Sequence, residues 1–128
     1  MRDCEGQLHP RARQGIQLFN QGLYFEAHEE LEIAWREEAG RIKELYQGIL
    51  EAGVTYLHVR RQNLAGAIKV YGRSMRWLQE WPDMCRGAHI GQLRRDLDAM
   101  MTEAIRLGPA RLAELDPALF RPIILKEG

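Results

Sequence analysis

The sequence predicts an all-α fold, a small bundle of stacked antiparallel helix hairpins with about five helices and an irregular C-terminal tail docked on it. Three observations carry this. Apolar residues recur at helical spacing in successive stretches. Val and Ile are sparse and no stretch alternates as a strand would, so no sheet is expected. Pro, Gly and Asn fall where helices start and stop.

The elements follow in order. Pro10 suits a first helical position, with Ala12, Ile16 and Phe19 on one stripe behind it. Asn20-Gln21-Gly22 reads as a turn. A second helix runs from about Leu23 to Glu38, with Ala27, Leu31 and Ala34 inward, and Gly40 is placed to end it in a left-handed conformation. A third runs from about Arg41 to Arg60. Asn63 reads as the N-cap of a fourth, which stops before Trp81-Pro82. A fifth carries Leu93, Leu97, Met100, Ala104 and Leu107 and ends at Gly108-Pro109. In the tail beyond Asp116, Leu119, Phe120, Ile123, Ile124 and Leu125 should dock on the helices, because so many apolar groups are costly in water. A weak repeat relates Gly22–Leu31 to Asn63–Tyr71: each has a turn, a bulky residue, an Ala three positions on, then another bulky residue. It resembles the start of the second helix in tetratricopeptide-type hairpins, where a small residue lets helices approach.

Composition bounds the function classes. A chain of 128 residues, 45% hydrophobic and 28% charged, fits one domain over 1–128. Zero formal net charge calls for no nucleic acid, acidic substrate or anionic membrane. Apolar runs are too short to span a bilayer, and the N-terminus lacks the apolar stretch of a signal peptide, so a cytoplasmic protein with no membrane partner is expected. Cys4 and Cys85 lack metal-binding spacing and are expected to stay reduced. Charge is uneven, with eight Glu and three basic residues from Tyr24 to Glu51, and eight basic and two acidic residues from Arg60 to Arg95. Mutual attraction of the two halves is the plain reading. An anion patch at Arg60, Arg61, Arg73 and Arg76 is the sharper one, but without interleaved aromatics nucleic acid is not expected.

The third helix is apolar on almost every side and should be the most buried. Its Gly48 and Gly53 cost roughly 1 kcal/mol each relative to Ala, which close packing would explain. Along one face lie Gln47, Glu51, Thr55 and His58. The second helix offers His28, Glu32 and Trp35 at i, i+4 and i+7. In a hairpin turning near Ala39-Gly40, residues at one height have numbers summing to about 79. His28 then stands opposite Glu51, Glu32 opposite Gln47, and Tyr24 opposite Thr55. The next hairpin sets Arg73 opposite Glu51. A His28–Glu51 pair would raise the His28 pKa and lower that of Glu51 unless desolvation outweighs the attraction.

Three readings compete for this ladder. A structural network stands first, because buried His and Glu more often satisfy each other than catalyse. A divalent transition metal on His28, Glu32, Glu51 and His58 has suitable ligand types, but the chain lacks the Glu-x-x-His pairs of helical di-metal sites. Acid–base work by His28 and a carboxylate on a small ligand is the third. Tyr24, Trp35, Gln47, Thr55, His58 and Arg73 are then the candidate ligand contacts. His9 and His89 read as capping or exposed residues, and Trp35, Trp77 and Trp81 as core packing.

Phe19-Asn20, Gly22, Tyr24, Glu26-Ala27-His28-Glu29, Leu31-Glu32 and Trp35 match the signature F-N-x-G-x-Y-x-E-A-H-E-x-L-E-x-x-W. A second block is Gln47-Gly48-Ile49-Leu50, His58, Asn63 and Gly66-Ala67. This chain thereby resembles the prokaryotic Domain of Unknown Function 309 family, with the family-like core at about 19–80. The resemblance implies an all-helical fold and brings no substrate. Glu29, beside His28 in the motif, joins His28, Glu32 and Glu51 as a candidate catalytic residue. The expected function is a binding or scaffold module with a His/Glu-lined cleft between helices, its partner a small molecule or a protein, with homo-oligomerisation open. The alternative is a metal-dependent or acid–base enzyme acting on a small molecule through His28 and neighbouring carboxylates.

Overall fold

The computed structural model describes residues 2–126, and among these the chain forms five α-helices. They are α1 (Pro10–Asn20), α2 (Tyr24–Glu37), α3 (Lys43–Arg60), α4 (Leu64–Leu78) and α5 (Ile90–Leu107). The starts are chemically marked. His9 caps α1, its Nδ1 accepting from the Arg11 amide at 3.0 Å, with Pro10 in the first turn. Asn63 caps α4 by accepting from the Gly66 amide at 3.0 Å.

Consecutive helices pack as hairpins, and α3 is the centre, contacting both α2 and α4 extensively. Leu45, Tyr46, Ile49, Ala52 and Tyr56 on α3 are fully buried. Gly48 has the role its helix cost suggested. A Cβ there would sit 2.7 Å from Leu78 Cδ2 and 3.1 Å from Trp77 Cβ, so its absence sets how closely α4 approaches. A Cβ on Gly53 would meet the Phe19 ring at 3.3 Å. The buried Ser74 hydroxyl donates to the Gly48 carbonyl at 2.8 Å and ties the same crossing.

Three expectations need correction. Gly40 has no left-handed backbone; α2 ends instead through an extended Glu38, and a short turn leads into α3. A small sheet exists, pairing β1 (Met84–Cys85) with β2 (Ala88–His89). Its two-residue turn, Arg86-Gly87, has φ of 50° and 85°, the conformation that suits the twist of a tight hairpin. Strand patterning was invisible because each strand has only two residues. Cys4 and Cys85 form a disulfide with Cα atoms 4.4 Å apart, rather than staying reduced; separation in sequence hid that the N-terminal segment folds onto the hairpin. The Arg86 amide donates to the Cys4 carbonyl at 2.9 Å, and the Arg86 guanidinium donates to the Asp3 and Gln7 carbonyls.

The tail docks on the helices as expected: Ile123 is buried and Leu119, Phe120 and Leu125 pack half-buried against the core, while Ile124 is exposed. Polar bonds also hold the tail. The Asn20 side chain donates to the Ile123 carbonyl at 2.8 Å and accepts from its amide at 2.7 Å. Beyond it, the His89 amide donates to the Ile124 carbonyl, and Leu125 bridges to Ala88. No described helix is long and apolar enough to cross a membrane.

Candidate functional site

The α3–α4 register places Glu51 against Arg73, as the hairpin construction required: Arg73 Nε lies 3.4 Å from Glu51 Oε1. Glu51 is buried on the central helix, and its Oε2 has no hydrogen-bond partner among the described residues. Burial pushes its pKa above the ordinary carboxylate value; the Gln47 amide and the guanidinium groups of Arg73 and Arg76 oppose that without cancelling it.

His28 does not join this pair. Its Nε2 is 3.8 Å from Glu32 Oε2 on the same helix, its Nδ1 is buried without a hydrogen-bond partner, and its ring stacks near Phe25. Glu32 is held at 2.6 Å by Arg36. No hydrogen bond or ion pair among the described residues links His28 to Glu51. Residue numbers fix height in a hairpin, but helix rotation fixes the face, and Glu51 meets the α4 guanidinium. Desolvation therefore governs the Glu51 pKa.

The remaining candidates scatter. Thr55 turns back on its own helix, donating to the Glu51 carbonyl at 2.8 Å. Tyr24 belongs to an aromatic cluster with Phe19, Tyr56 and Phe120, under the Arg60 guanidinium. His58 Nδ1 lies 3.2 Å from Asn63 Nδ2 at the far end of α3. It is two helical turns from Glu51, a rise of about 10 Å. Glu29 is exposed. Among the described residues no three His, Cys, Asp or Glu side chains converge as a metal-ligand group, so His28, Glu32, Glu51 and His58 are not assembled as one set.

Three of the expected residues do gather, where α2, α3 and α4 meet. A cavity of about 550 Å³ is lined by Trp35, Lys43, Glu44, Gln47 and Trp77. A second, of about 470 Å³, is lined by Arg73, Arg76, Trp77, Gln79 and Glu80. Trp77 borders both, and Glu51 is tied to both through Gln47, one turn before it, and through Arg73. Lys43 Nζ covers the Trp35 ring at 4.8 Å from its centroid. Trp77, read from sequence as core, is 37% exposed. Its height, though not its exposure, was legible all the same. The register that pairs Glu51 with Arg73 also pairs Gln47 with Trp77, and the α2–α3 register sets Trp35 beside Lys43 and Glu44.

Comparison with known proteins agrees with the sequence signature. The family described as "Domain of unknown function (DUF309)" matches residues 12–70, which cover most of α1, all of α2 and α3 and about half of α4. "Uncharacterized protein YpuF" of Bacillus subtilis (strain 168) is 42% identical over 57 residues, covering 44% of this chain and 33% of that relative. The match therefore spans about a third of the relative's length. No solved structure matches significantly. Residues 12–70, which carry the signature histidine, Trp35 and the buried Glu51, are thus the part of the chain that is similar to the DUF309 family.

Proposed function

We propose that this protein is a binding module whose ligand sits in the groove where α2, α3 and α4 meet. The observation that carries the reading is the state of Glu51. A buried carboxylate with one unpartnered oxygen lowers stability relative to an apolar residue of similar volume. What Glu51 accomplishes in exchange is to hold Arg73 at the wall of a cavity that Trp77 also lines. Clefts of some 300–1,000 Å³ with aromatic walls and a few fixed polar groups are where small molecules bind.

The acid–base alternative rests on one feature, the raised Glu51 pKa, which is what a general acid needs near neutral pH. It rests on Glu51 rather than on His28. A cytoplasmic location belongs to the same proposal, although the Cys4–Cys85 bond is unusual there.

A thermal-shift screen of a metabolite library, with native mass spectrometry of gently purified protein, tests the binding reading. The expected result is a compound that stabilises the wild type and loses its effect in Trp77→Leu, a substitution at a partly exposed position that leaves the fold intact. No stabilising compound, or hits indifferent to Trp77→Leu, would refute it. Turnover of a bound compound that Glu51→Gln abolishes while binding persists would favour the enzyme.

A further inference from the structure

We propose that the groove selects a small planar aromatic molecule carrying an anionic oxygen group, with its ring against Trp77 and its anion on Arg76. This rests on the binding reading above and adds the ligand's chemistry.

The pairing of charges around the groove decides the sign. Its walls carry the cations Lys43, Arg73 and Arg76 and the acids Glu44 and Glu80, with Glu51 behind. The acids are already engaged. Arg41, from outside the groove, lies 3.5 Å from Glu44, 3.1 Å from Glu80 and 3.9 Å from Asp3, and Glu51 is matched by Arg73. Arg76 and Lys43 have no carboxylate within ion-pair distance among the described residues. The formal charges of Arg41, Lys43, Arg73 and Arg76 balance those of Asp3, Glu44, Glu51 and Glu80, so the sign is set locally: among the described groove residues Arg76 is the cation with neither a carboxylate at ion-pair distance nor a ring beneath it, and an anion is its complement.

The cations differ in availability. Lys43 lies over the face of Trp35, so that amine and that ring satisfy each other. Arg76 is exposed, lines the smaller cavity beside Trp77, and has a planar fork suited to a carboxylate or phosphate. Trp77 borders both cavities, and among the described residues no cation covers its ring. An aromatic face next to an exposed guanidinium with no carboxylate at ion-pair distance fits a flat ring with a charged substituent. A flexible aliphatic acid would leave the indole face unused, and a cation would meet Arg76 at close range.

Isothermal titration with three isosteric probes tests this: 2-naphthoate, neutral 2-naphthamide and cationic 2-naphthylmethylammonium. Naphthoate should bind at least about tenfold more tightly than the amide, equivalent to about 1.4 kcal/mol. Arg76→Gln should erase that preference, Arg76→Lys should keep part of it, and Trp77→Leu should weaken naphthoate and naphthamide alike. Arg76 and Trp77 are exposed, so these variants should fold, and circular dichroism checks it. Equal affinity for the acid and amide, or a preference that survives Arg76→Gln, would overturn the proposal. Tightest binding by the ammonium, lost in Trp77→Leu, would overturn it while leaving the binding module standing. No binding by any probe would also overturn it. In that case the library screen decides the wider reading separately, since a hit of other shape that depends on Trp77 would preserve it.

Discussion

Breaking the Cys4–Cys85 bond should lower stability by an amount set by the length of chain it closes. The two residues are 81 positions apart. In the chain-entropy picture a loop of that length removes about 15 cal/mol/K from the unfolded ensemble, about 4.5 kcal/mol at 25 °C. Observed bridges often deliver less, commonly about 2–4 kcal/mol. A chain of 128 residues has an unfolding entropy of about 0.27 kcal/mol/K. The melting temperature should therefore fall by about 7–17 °C on reduction. The bond holds a short N-terminal segment against the β1–β2 turn, where Arg86 binds the Asp3, Cys4 and Gln7 carbonyls. Helices α2, α3 and α4 should thus keep their packing in the reduced protein. Scanning calorimetry of the oxidised wild type, the protein in a phosphine reductant, Cys4→Ser and the double serine variant measures the effect. The last three should melt together, well below the first. Identical melting in all four, with two titratable thiols in unreduced, denatured protein, would refute the reasoning and leave the cysteines as neighbours without a bond.

Removing Asp116 onward should cost about 3–6 kcal/mol: roughly 1.5–3 for Ile123, with the rest from half-buried Phe120 and Leu125 and the two Asn20 bonds. An unchanged urea midpoint would show that the tail contributes nothing. The Tyr56 hydroxyl is buried without a hydrogen-bond partner, so Tyr56→Phe should raise stability by about 1 kcal/mol; a loss of that size would reveal a bound partner. Because Glu51 has a raised pKa, the native state holds its proton more tightly than the unfolded chain. Its contribution is full below the unfolded value near 4.5 and declines as pH rises through the higher folded value. Glu51→Gln should remove that decline and equal or exceed wild-type stability at neutral pH. Urea melts of the two proteins that run parallel from pH 4 to 8 would contradict this.

The helices were legible because their signals are local. Pro10 after His9, Asn63 before Leu64 and Gly108 after Leu107 mark real ends, and the 3.6-residue apolar period fixes which faces turn inward. Height within a hairpin was legible too, since it depends only on residue count from the turn, and Arg73 duly meets Glu51. Helix rotation was not. It is set by packing of side chains from several helices, such as Leu78 closing on Gly48 and Phe19 on Gly53. That rotation gave Glu51 to Arg73, left His28 with Glu32, and opened Trp77 to solvent. The Cys4–Cys85 bond, the β1–β2 turn and the Asn20–Ile123 clamp join residues far apart in sequence, and no local pattern encodes such a pairing. The chain alone therefore specified which side chains exist at each height, and only the assembled bundle settled which of them share a cavity.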